Sequence, residues 1–267
     1  MPHVPTDRWS EGDPYEQYVG RWSRRVAPGF LQWLGVPPQG DWADVGCGTG
    51  ALTEAILQGF SPRAIEAVDR SAGFLAAASS RVHDDRVRFH QADATALPMA
   101  DASCDAVVSG LVLNFVGEPA GMVAQMHRVT RPGGCVAAYV WDYAKGMQMM
   151  RLFWDAAREV DGAGAPDEAA RFPICAPEPL AQTWRGAGLE SVEVRSLDIH
   201  TDFRDFDDFW VPFTGGQGPA PSYLATLGEA QQNALRDRLL EAVPRDANGA
   251  ISLRARAWSV KGVRPVD

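Results

Sequence analysis

The stretch DWADVGCGTG, residues 41–50, joins a short apolar run to a loop that contains three glycines. The residues that follow, ALTEAIL at 51–57, have the apolar spacing of a helix. Gly46, Gly48 and Gly50 lack the Cβ atom that would keep a ligand away from the backbone. The first turn of a helix also presents N–H groups that no helical carbonyl accepts. The pattern therefore predicts a strand, a glycine loop and a helix that together bind an electron-rich ligand.

A second predicted strand ends in a carboxylate. The run IEAVD at residues 65–69 places Asp69 about twenty residues after the glycine loop, where an acidic residue accepts hydrogen bonds from ribose hydroxyls. An alternative is that Asp69 caps the helix that starts near Ser71. Together, the glycine loop and Asp69 predict a cofactor that contains adenosine.

The glycine spacing distinguishes between two kinds of adenosine cofactor. The dinucleotide pattern Gly-x-Gly-x-x-Gly would fall on Gly46, Gly48 and Ala51, which fits only its looser Gly/Ala form. Asp44, two residues before the first glycine, and the closer Gly-x-Gly-x-Gly spacing instead resemble motif I of the class I S-adenosylmethionine-dependent methyltransferases.

The resemblance continues in order along residues 41–142. Asp69 matches the ribose-binding acid, and QADA at 91–94 matches the segment that holds the adenine edge. DAVVS at 105–109 is similar to the fourth strand, and RVTRPGG at 128–134 is similar to the turn before the fifth. The subgroup that the chain resembles includes the ubiquinone-biosynthesis C-methyltransferases and many small-molecule methyltransferases. That subgroup is too varied to identify an acceptor.

Strand-like and helical runs alternate across the middle of the chain. They lie at 42–46, 51–59, 64–69, 72–82, 86–91, 105–110, 119–129 and 134–141. This alternation predicts an α/β fold with a parallel sheet and helices on both faces. Later runs predict a helix over 177–187 and strands over 189–201 and 251–260. The resemblance implies a Rossmann-like, doubly wound, seven-stranded sheet whose last strand is antiparallel, with helical lid insertions.

The segments outside this alternation predict the domain organisation. Residues 14–35 have helical spacing that Pro28 breaks or kinks, so we expect residues 1–40 to supply the N-terminal helices of a lid. Residues 41–267 would form the methyltransferase domain, with insertions at about 143–176 and 203–246. The insertions and the N-terminal helices would then cover the cofactor.

The resemblance implies which residues bind the cofactor. Arg21 would pair with the cofactor's carboxylate, although it could equally be a surface residue, and Arg70 would cover the adenine face or point to solvent. Asp44 would anchor the loop, and Cys47 would contribute its backbone. The full predicted set is Asp44, Gly46, Cys47, Gly48, Gly50, Asp69, Arg70, Asp93, Ala94, Ser109, Tyr18, Arg21 and Trp22.

Residues after the fourth, fifth and sixth strands are candidates for the reaction itself. Asn114 either orients the acceptor or caps a turn, Asp142 is an acid or base by position or a helix cap, and His200 is a further candidate base. SGLV at 109–112 differs from the Asp/Asn-Pro-Pro-aromatic motif of enzymes that methylate nucleobase amines. Predicted acceptor-binding residues are Trp141, Tyr143, Trp210, Phe213 and Gly216.

The composition of the chain limits the kinds of acceptor, metal and cellular location that we expect. The net charge of −9 would repel a polyanion, so we expect no nucleic-acid acceptor. Four scattered cysteines and a polar start predict a reduced, cytoplasmic protein, and no apolar run is long enough to predict a membrane span. The histidines form no spaced cluster, so we expect no metal. The chain could be a monomer or a homodimer.

These observations predict an enzyme that transfers a methyl group from S-adenosylmethionine to a small-molecule acceptor by in-line displacement. The nucleophile could be an oxygen, nitrogen or carbon atom. Two alternatives remain open. One is a protein that binds S-adenosylmethionine without methylating, and the other, less favoured, is an NAD-dependent oxidoreductase.

Overall fold

The seven strands follow the predicted order along the chain. The computed structural model describes residues 19–162, 165, 168–215 and 218–266. Its strands are β1 (Asp41–Val45), β2 (Ala64–Asp69), β3 (Val87–Gln91), β4 (Cys104–Gly110), β5 (Thr130–Trp141), β6 (Glu190–Phe203) and β7 (Ile251–Val263). The strands β1 to β4 agree with the predicted runs to within a residue or two.

Ten α-helices of the described residues precede or connect these strands. They are α1 (Arg21–Leu34), α2 (Ala51–Gly59), α3 (Ala72–Arg81), α4 (Pro119–Val129), α5 (Gln148–Asp161), α6 (Glu168–Arg171), α7 (Pro177–Gly186), α8 (Phe206–Trp210), α9 (Pro219–Leu224) and α10 (Glu229–Ala242). A proline stands in the first turn of α4, α7 and α9, where its missing N–H costs no hydrogen bond. The 3₁₀ turns are Leu113–Phe115 and Val211–Gly215.

The strands form one mixed sheet in the order β3-β2-β1-β4-β5-β7-β6. Strands β1 to β5 are parallel; Asp44, for example, is in register with Ala67 of β2 and Val108 of β4. The last strand, β7, runs against β5, because Gly133 donates to the carbonyl of Arg264 whereas Asp142 donates to that of Arg256. The predicted doubly wound sheet with an antiparallel last strand is confirmed.

The strand order places the candidate site. The chain moves outward from β1 to β3 and then crosses back to β4 on the other side of β1, so the order reverses between β1 and β4. Ligands of open α/β sheets bind outside the carboxyl ends of the strands at such a reversal. Here those ends carry the glycine loop, residues 46–50, and residues 109–114.

Two details of the predicted elements differ from the structure. Of the predicted break or kink at Pro28, the break is wrong, because helix α1 continues across Pro28. Pro28 is exposed, so water can solvate the carbonyl that loses its helical partner. Strand β5 begins at Thr130 rather than at residue 134, because the hydrogen bonds between Gly133 and Arg264 and between Arg264 and Gly134 extend it. The sequence of that stretch, with Pro132 and two glycines, predicts a turn.

The described residues cluster into two compact units. We call residues 22–140, 174–197 and 257–266 the glycine-loop unit, which contains the parallel strands up to residue 140. We call the described parts of 19–21, 141–173 and 198–256 the aromatic unit. It contains most of the two predicted insertions. The lid role of these segments stays a prediction.

Stacked and edge-to-face rings form the core of the aromatic unit. The ring of Phe153 stacks on Phe213 with centroids 4.6 Å apart, and it meets Trp154 edge-on. Polar groups at this core are paired: the Trp154 indole donates to the buried carboxylate of Glu168, and the Tyr223 hydroxyl donates to Asp161 at 3.0 Å. The unit therefore has its own hydrophobic core, in which the polar groups of Trp154 and Tyr223 are paired.

Candidate active site

The glycine loop is held by hydrogen bonds to the neighbouring strand. The amides of Gly46 and Cys47 both donate to the carbonyl of Val68, at 2.7 and 2.9 Å. The amide of Gly50 donates to the carbonyl of Cys47 at 2.9 Å, and Gly50 then begins α2 with a φ of 89°. All three loop glycines have positive φ, a conformation that disfavours other L-residues. The loop is therefore a fixed turn between β1 and α2.

Two of these glycines are required for different reasons. A Cβ atom on Gly46 would lie 2.5 Å from a methyl carbon of Val112, so the loop and the segment after β4 pack directly on each other. A Cβ atom on Gly48 would have no atom of the described residues within 4 Å. Gly46 is therefore needed for packing inside the protein, whereas Gly48 leaves open a space in which a ligand can approach the backbone.

We expect Gly46→Ala and Gly48→Ala to separate these roles. Gly46→Ala adds overpacking against Val112 to left-handed strain and should lower the free energy of unfolding by about 2–5 kcal/mol. Gly48→Ala adds only the strain, about 1–2 kcal/mol, but its methyl group enters the open space. Urea unfolding compares the two stabilities. Equal losses of stability would contradict this assignment.

Asp69 closes the loop from the end of β2. Its Oδ2 accepts from the Gly48 amide at 2.9 Å, and its Oδ1 accepts from the Ser71 amide at 2.8 Å. Burial raises the pKa of the Asp69 carboxyl, while the hydrogen bonds from Ser71 and Gly48 oppose that shift. Each carboxylate oxygen retains a lone pair. Asp69 thus has the geometry of a structural anchor and keeps capacity to accept two further hydrogen bonds.

Asp44 lies fully buried at the end of β1. The Thr53 hydroxyl of α2 donates to Asp44 Oδ2 at 2.6 Å, which ties the strand to the helix that follows the loop. Among the described residues, Asp44 Oδ1 has no hydrogen-bond partner. Burial raises the pKa of Asp44 to about 7, against the opposing hydrogen bond from Thr53. A buried carboxylate oxygen without a partner fits a ligand that brings a donor or a positive charge.

The remaining predicted adenosine ligands lie at the ends of β2 and β3. Asp93 is exposed, and its Oδ1 accepts from both the amide and the hydroxyl of Thr95, which also lower its pKa. Ala94 is half-buried in the same turn, and Arg70 is exposed. The Cys47 side chain is buried, and burial raises its pKa well above the ordinary value, which argues against a nucleophile.

The segment after β4 contains further buried polar atoms. Ser109 is fully buried and Asn114 is 8% exposed; within the described residues, neither the Ser109 hydroxyl nor the Asn114 Nδ2 has a hydrogen-bond partner. A Cβ atom on Gly110 would lie 2.5 Å from the Tyr139 hydroxyl oxygen, so the tyrosine packs against this backbone. Leu111 then has a φ of 62°. A strained backbone and unpaired polar atoms together are typical of a functional segment.

Residues 43–138 match the protein family described as methyltransferase domain. This segment is a methyltransferase domain. Among curated relatives, the chain is 29% identical over 219 residues to the demethylmenaquinone methyltransferase of Roseiflexus sp. (strain RS-1), which covers 70% of this chain and 91% of the relative. It is 27% identical over 192 residues to the ubiquinone/menaquinone biosynthesis C-methyltransferase of Desulfotalea psychrophila. That match covers 68% of this chain and 76% of the relative.

The fold is that of solved methyltransferases. One of them is the phosphoethanolamine N-methyltransferase 2 of Haemonchus contortus, solved with phosphomonomethylethanolamine and S-adenosylhomocysteine. The TM-score is 0.57 at 16% identity, and the match covers 95% of this chain and 56% of that one. The predicted resemblance to class I methyltransferases is confirmed, and so is the prediction of a methyltransferase. The individual site residues stay predictions.

Within the methyltransferase domain, the structure brings together most of the predicted cofactor residues. The glycine loop, Asp44, Asp69 and the segment from Ser109 to Asn114 lie at the carboxyl ends of adjacent strands. Trp22 is buried in α1 of the glycine-loop unit. Arg21 belongs to the aromatic unit, where its Nη1 donates to Asp208 at 3.1 Å and its guanidinium covers the Phe203 ring.

Predicted reaction residues in the aromatic unit have structural partners. Asp142 is buried, and its Oδ1 accepts from the Lys145 amide at 3.0 Å, so it caps the turn after β5. His200 is exposed on β6, a strand at the edge of the sheet.

The predicted acceptor-binding side chains of this unit are also well buried. Phe213 is fully buried against Phe153, and Trp210 packs beside it with ring centroids 6.3 Å apart. Trp141 is buried with its Nε1 unpaired among the described residues, and the Tyr143 ring contacts Phe172. Tyr18 and Gly216 lie outside the described residues.

The described residues contain neither a candidate metal-binding cluster nor a candidate membrane-spanning helix. In residues 19–162, 165, 168–215 and 218–266, no group of three or more histidine, cysteine or acidic side chains is placed to hold a metal ion. No helix in that part of the chain has the length and apolar character needed to cross a bilayer.

Sequence reasoning missed three residues of the methyltransferase domain. Thr53 pairs with Asp44, Val112 packs on Gly46, and Tyr139 packs on Gly110. A hydroxyl in the first turn of the helix after the loop could have suggested the Thr53 contact. Nothing in the local pattern indicates the other two, because each contact depends on which strands are neighbours.

Proposed function

We propose that this chain transfers a methyl group from S-adenosylmethionine to a small-molecule acceptor. The observation that carries the proposal is the joint geometry of Gly48 and Asp69 inside a methyltransferase domain. The Asp69 carboxylate accepts a hydrogen bond from the Gly48 amide at 2.9 Å, and the space beside Gly48 is open with respect to the described residues. A ribose with its two hydroxyls fits a carboxylate placed beside an open stretch of backbone.

The residues present fit the rest of this cofactor. Asp69 would accept the ribose hydroxyls, and Asp93 with Ala94 would meet the adenine edge. Asp44 Oδ1, which has no partner among the described residues, would meet the positive end of the methionine moiety directly or through water. The Thr53 hydroxyl keeps Asp44 in place for that contact.

When bound, S-adenosylmethionine supplies an electrophilic methyl group on a sulfonium. The chain's own task is to bind the acceptor in line, exclude water and orient the nucleophile, which together can lower a barrier by about 7–11 kcal/mol. The Asn114 Nδ2 is a buried donor without a partner among the described residues, which supports a role in donating a hydrogen bond to an oxygen of the acceptor. The Ser109 hydroxyl is a second such group at the same strand end.

The net charge and the names of the relatives support a choice of acceptor to test first. A chain with a net charge of −9 disfavours a polyanionic acceptor. One curated relative is named a demethylmenaquinone methyltransferase and the other a ubiquinone/menaquinone biosynthesis C-methyltransferase, so quinone precursors are the first acceptors to test. A cytoplasmic location and a monomeric or homodimeric state belong to the same proposal.

The first experiment is thermal unfolding with S-adenosylhomocysteine and, in parallel, with NAD. We expect S-adenosylhomocysteine alone to raise the melting temperature, because a ligand at about 100 times its Kd adds about 2.7 kcal/mol of stability. A shift with NAD alone would overturn the proposal. Methyl transfer from labelled S-adenosylmethionine to candidate acceptors then distinguishes a methyltransferase from a protein that only binds the cofactor.

A further inference from the structure

The strand end at residues 109–112 makes an unusual contact with the glycine loop. Both methyl carbons of Val112 lie within 2.6 Å of the position that a Gly46 Cβ would take, so the valine side chain rests directly on the loop backbone. The contact joins the carboxyl ends of β1 and β4 at the reversal of strand order. Val112 is half-buried.

A strained backbone brings Val112 to that position. Leu111 has a φ of 62°, and its amide donates to the Tyr139 carbonyl at 2.8 Å. The left-handed region is unfavourable for a residue with a Cβ atom. Gly110, just before it, has the Tyr139 ring where a side chain would be. The neighbouring strand therefore enforces the turn that directs Val112 back toward Gly46, which is consistent with strain held at a functional site.

The turn at Leu111 and Val112 also fixes the positions of the residues that follow it and of the glycine loop that it contacts. The 3₁₀ turn Leu113–Phe115 begins immediately after Val112 and carries the buried Asn114 amide. On the loop side, Gly46 is followed by the Cys47 amide that bonds Val68 and the Gly48 amide that bonds Asp69. A displacement of Val112 would move both the cofactor loop and the proposed acceptor-orienting amide.

We propose that Val112 is a positioning residue for the cofactor, acting through the backbone of Gly46. The proposal rests on the proposed function, because it concerns the same S-adenosylmethionine site. It assigns to Val112 no contact with the reacting atoms. Its effect is to hold the glycine loop in the one arrangement that leaves the space beside Gly48 open, so the loop needs no reordering when the cofactor binds.

The test is calorimetric binding of S-adenosylhomocysteine to three variants. Val112→Ala removes the contact and should weaken binding at least fivefold. Val112→Thr keeps the branched shape and should remain within twofold of the unchanged chain. Val116→Ala is the matched control, since Val116 is a half-buried valine of the same segment and should also remain within twofold. Thermal unfolding of all three shows whether stability changes in parallel.

A second pair of variants tests the contact itself. Gly46→Ala alone clashes with Val112, whereas in the double variant with Val112→Ala the new methyl group occupies the vacated space. The double variant should recover the part of the melting temperature that the clash with Val112 costs, while the left-handed strain at residue 46 remains. No recovery would show that the loss in Gly46→Ala does not come from this contact. If Val112→Ala fails to fold, Val112→Ile takes its place, because the added methyl group pushes on the loop and should also weaken binding at least fivefold.

The outcomes separate the two proposals. If the unchanged chain does not bind S-adenosylhomocysteine, the proposed function fails. If it binds, and Val112→Ala or its replacement binds equally tightly, only the positioning role is overturned. Equal weakening by Val112→Ala and Val116→Ala would also overturn it, because the effect would then be a general loss of packing in that segment.

Discussion

The Asp69→Ala variant is expected to bind S-adenosylhomocysteine at least a hundredfold more weakly than the unchanged chain. The carboxylate would accept two ribose hydrogen bonds, and hydrogen bonds to a charged group contribute about 1.5–3 kcal/mol each. A loss of about 3 kcal/mol is already a hundredfold change in Kd. The variant also releases the Gly48 amide, which Asp69 Oδ2 holds at 2.9 Å.

Stability should fall less than affinity in this variant. The amides of Gly48 and Ser71 lose their acceptors, but both lie at the partly exposed mouth of the loop, where water can replace them. Glu66→Ala is the matched control, because Glu66 is a half-buried acid of the same strand whose carboxylate pairs with Arg88 and His90. Isothermal titration calorimetry measures both variants. Unchanged affinity in Asp69→Ala would show that Asp69 does not hold the ribose.

The second large effect concerns Asp44 and the pH dependence of folding. Burial raises the pKa of Asp44 from its ordinary value of 3.8 to about 7 in the folded chain. The folded state therefore binds this proton more tightly than the unfolded state. The resulting stabilisation is complete below pH 3.8, decreases as pH rises, and is lost above about pH 7. A shift of about three units corresponds to roughly 4 kcal/mol over that window.

Asp44→Asn should remove this pH dependence while keeping an acceptor for the Thr53 hydroxyl. Urea unfolding of the ligand-free chain at several values between pH 5 and pH 8 measures the effect. The unchanged chain should lose stability relative to Asp44→Asn as pH rises. Asp41→Asn on the same strand is the control, because a hydrogen bond from Arg63 lowers the pKa of Asp41 and its titration lies below this window. Parallel curves for the unchanged chain and Asp44→Asn would contradict the assignment.

Much of the fold could be predicted from local patterns. The alternation of strand-like and helical runs is set by the periodicity of apolar residues, so the strands from β1 to β4 were predictable to within a residue or two. The exceptions depend on the tertiary structure. Pro28 stays inside α1 because it is exposed. Strand β5 starts early because the hydrogen bonds to Arg264, the residue after β7, override the turn signal of its glycines.

Some features of the candidate site are likewise visible in the sequence, and others are visible only in the structure. The glycines of the loop and the acid that ends β2 are visible in sequence, because a tight turn and a close ligand approach require those residue types. Asp142 and Phe213 were predicted from their positions after a strand and in an insertion. The structure shows that Asp142 caps a turn and that the Phe213 ring stacks on Phe153, a contact that the sequence did not indicate. Their roles in the reaction stay predictions.

By itself, the sequence determined the α/β class, the glycine loop and the cofactor type that we propose, because each depends on residues close together in the chain. Only the tertiary structure decided that Val112 rests on Gly46, that Tyr139 covers Gly110 and that Asp44 is fully buried. These features depend on strand order and on the exclusion of water around particular atoms. Sequence periodicity shows which face of an element is buried, but not which distant residue it meets.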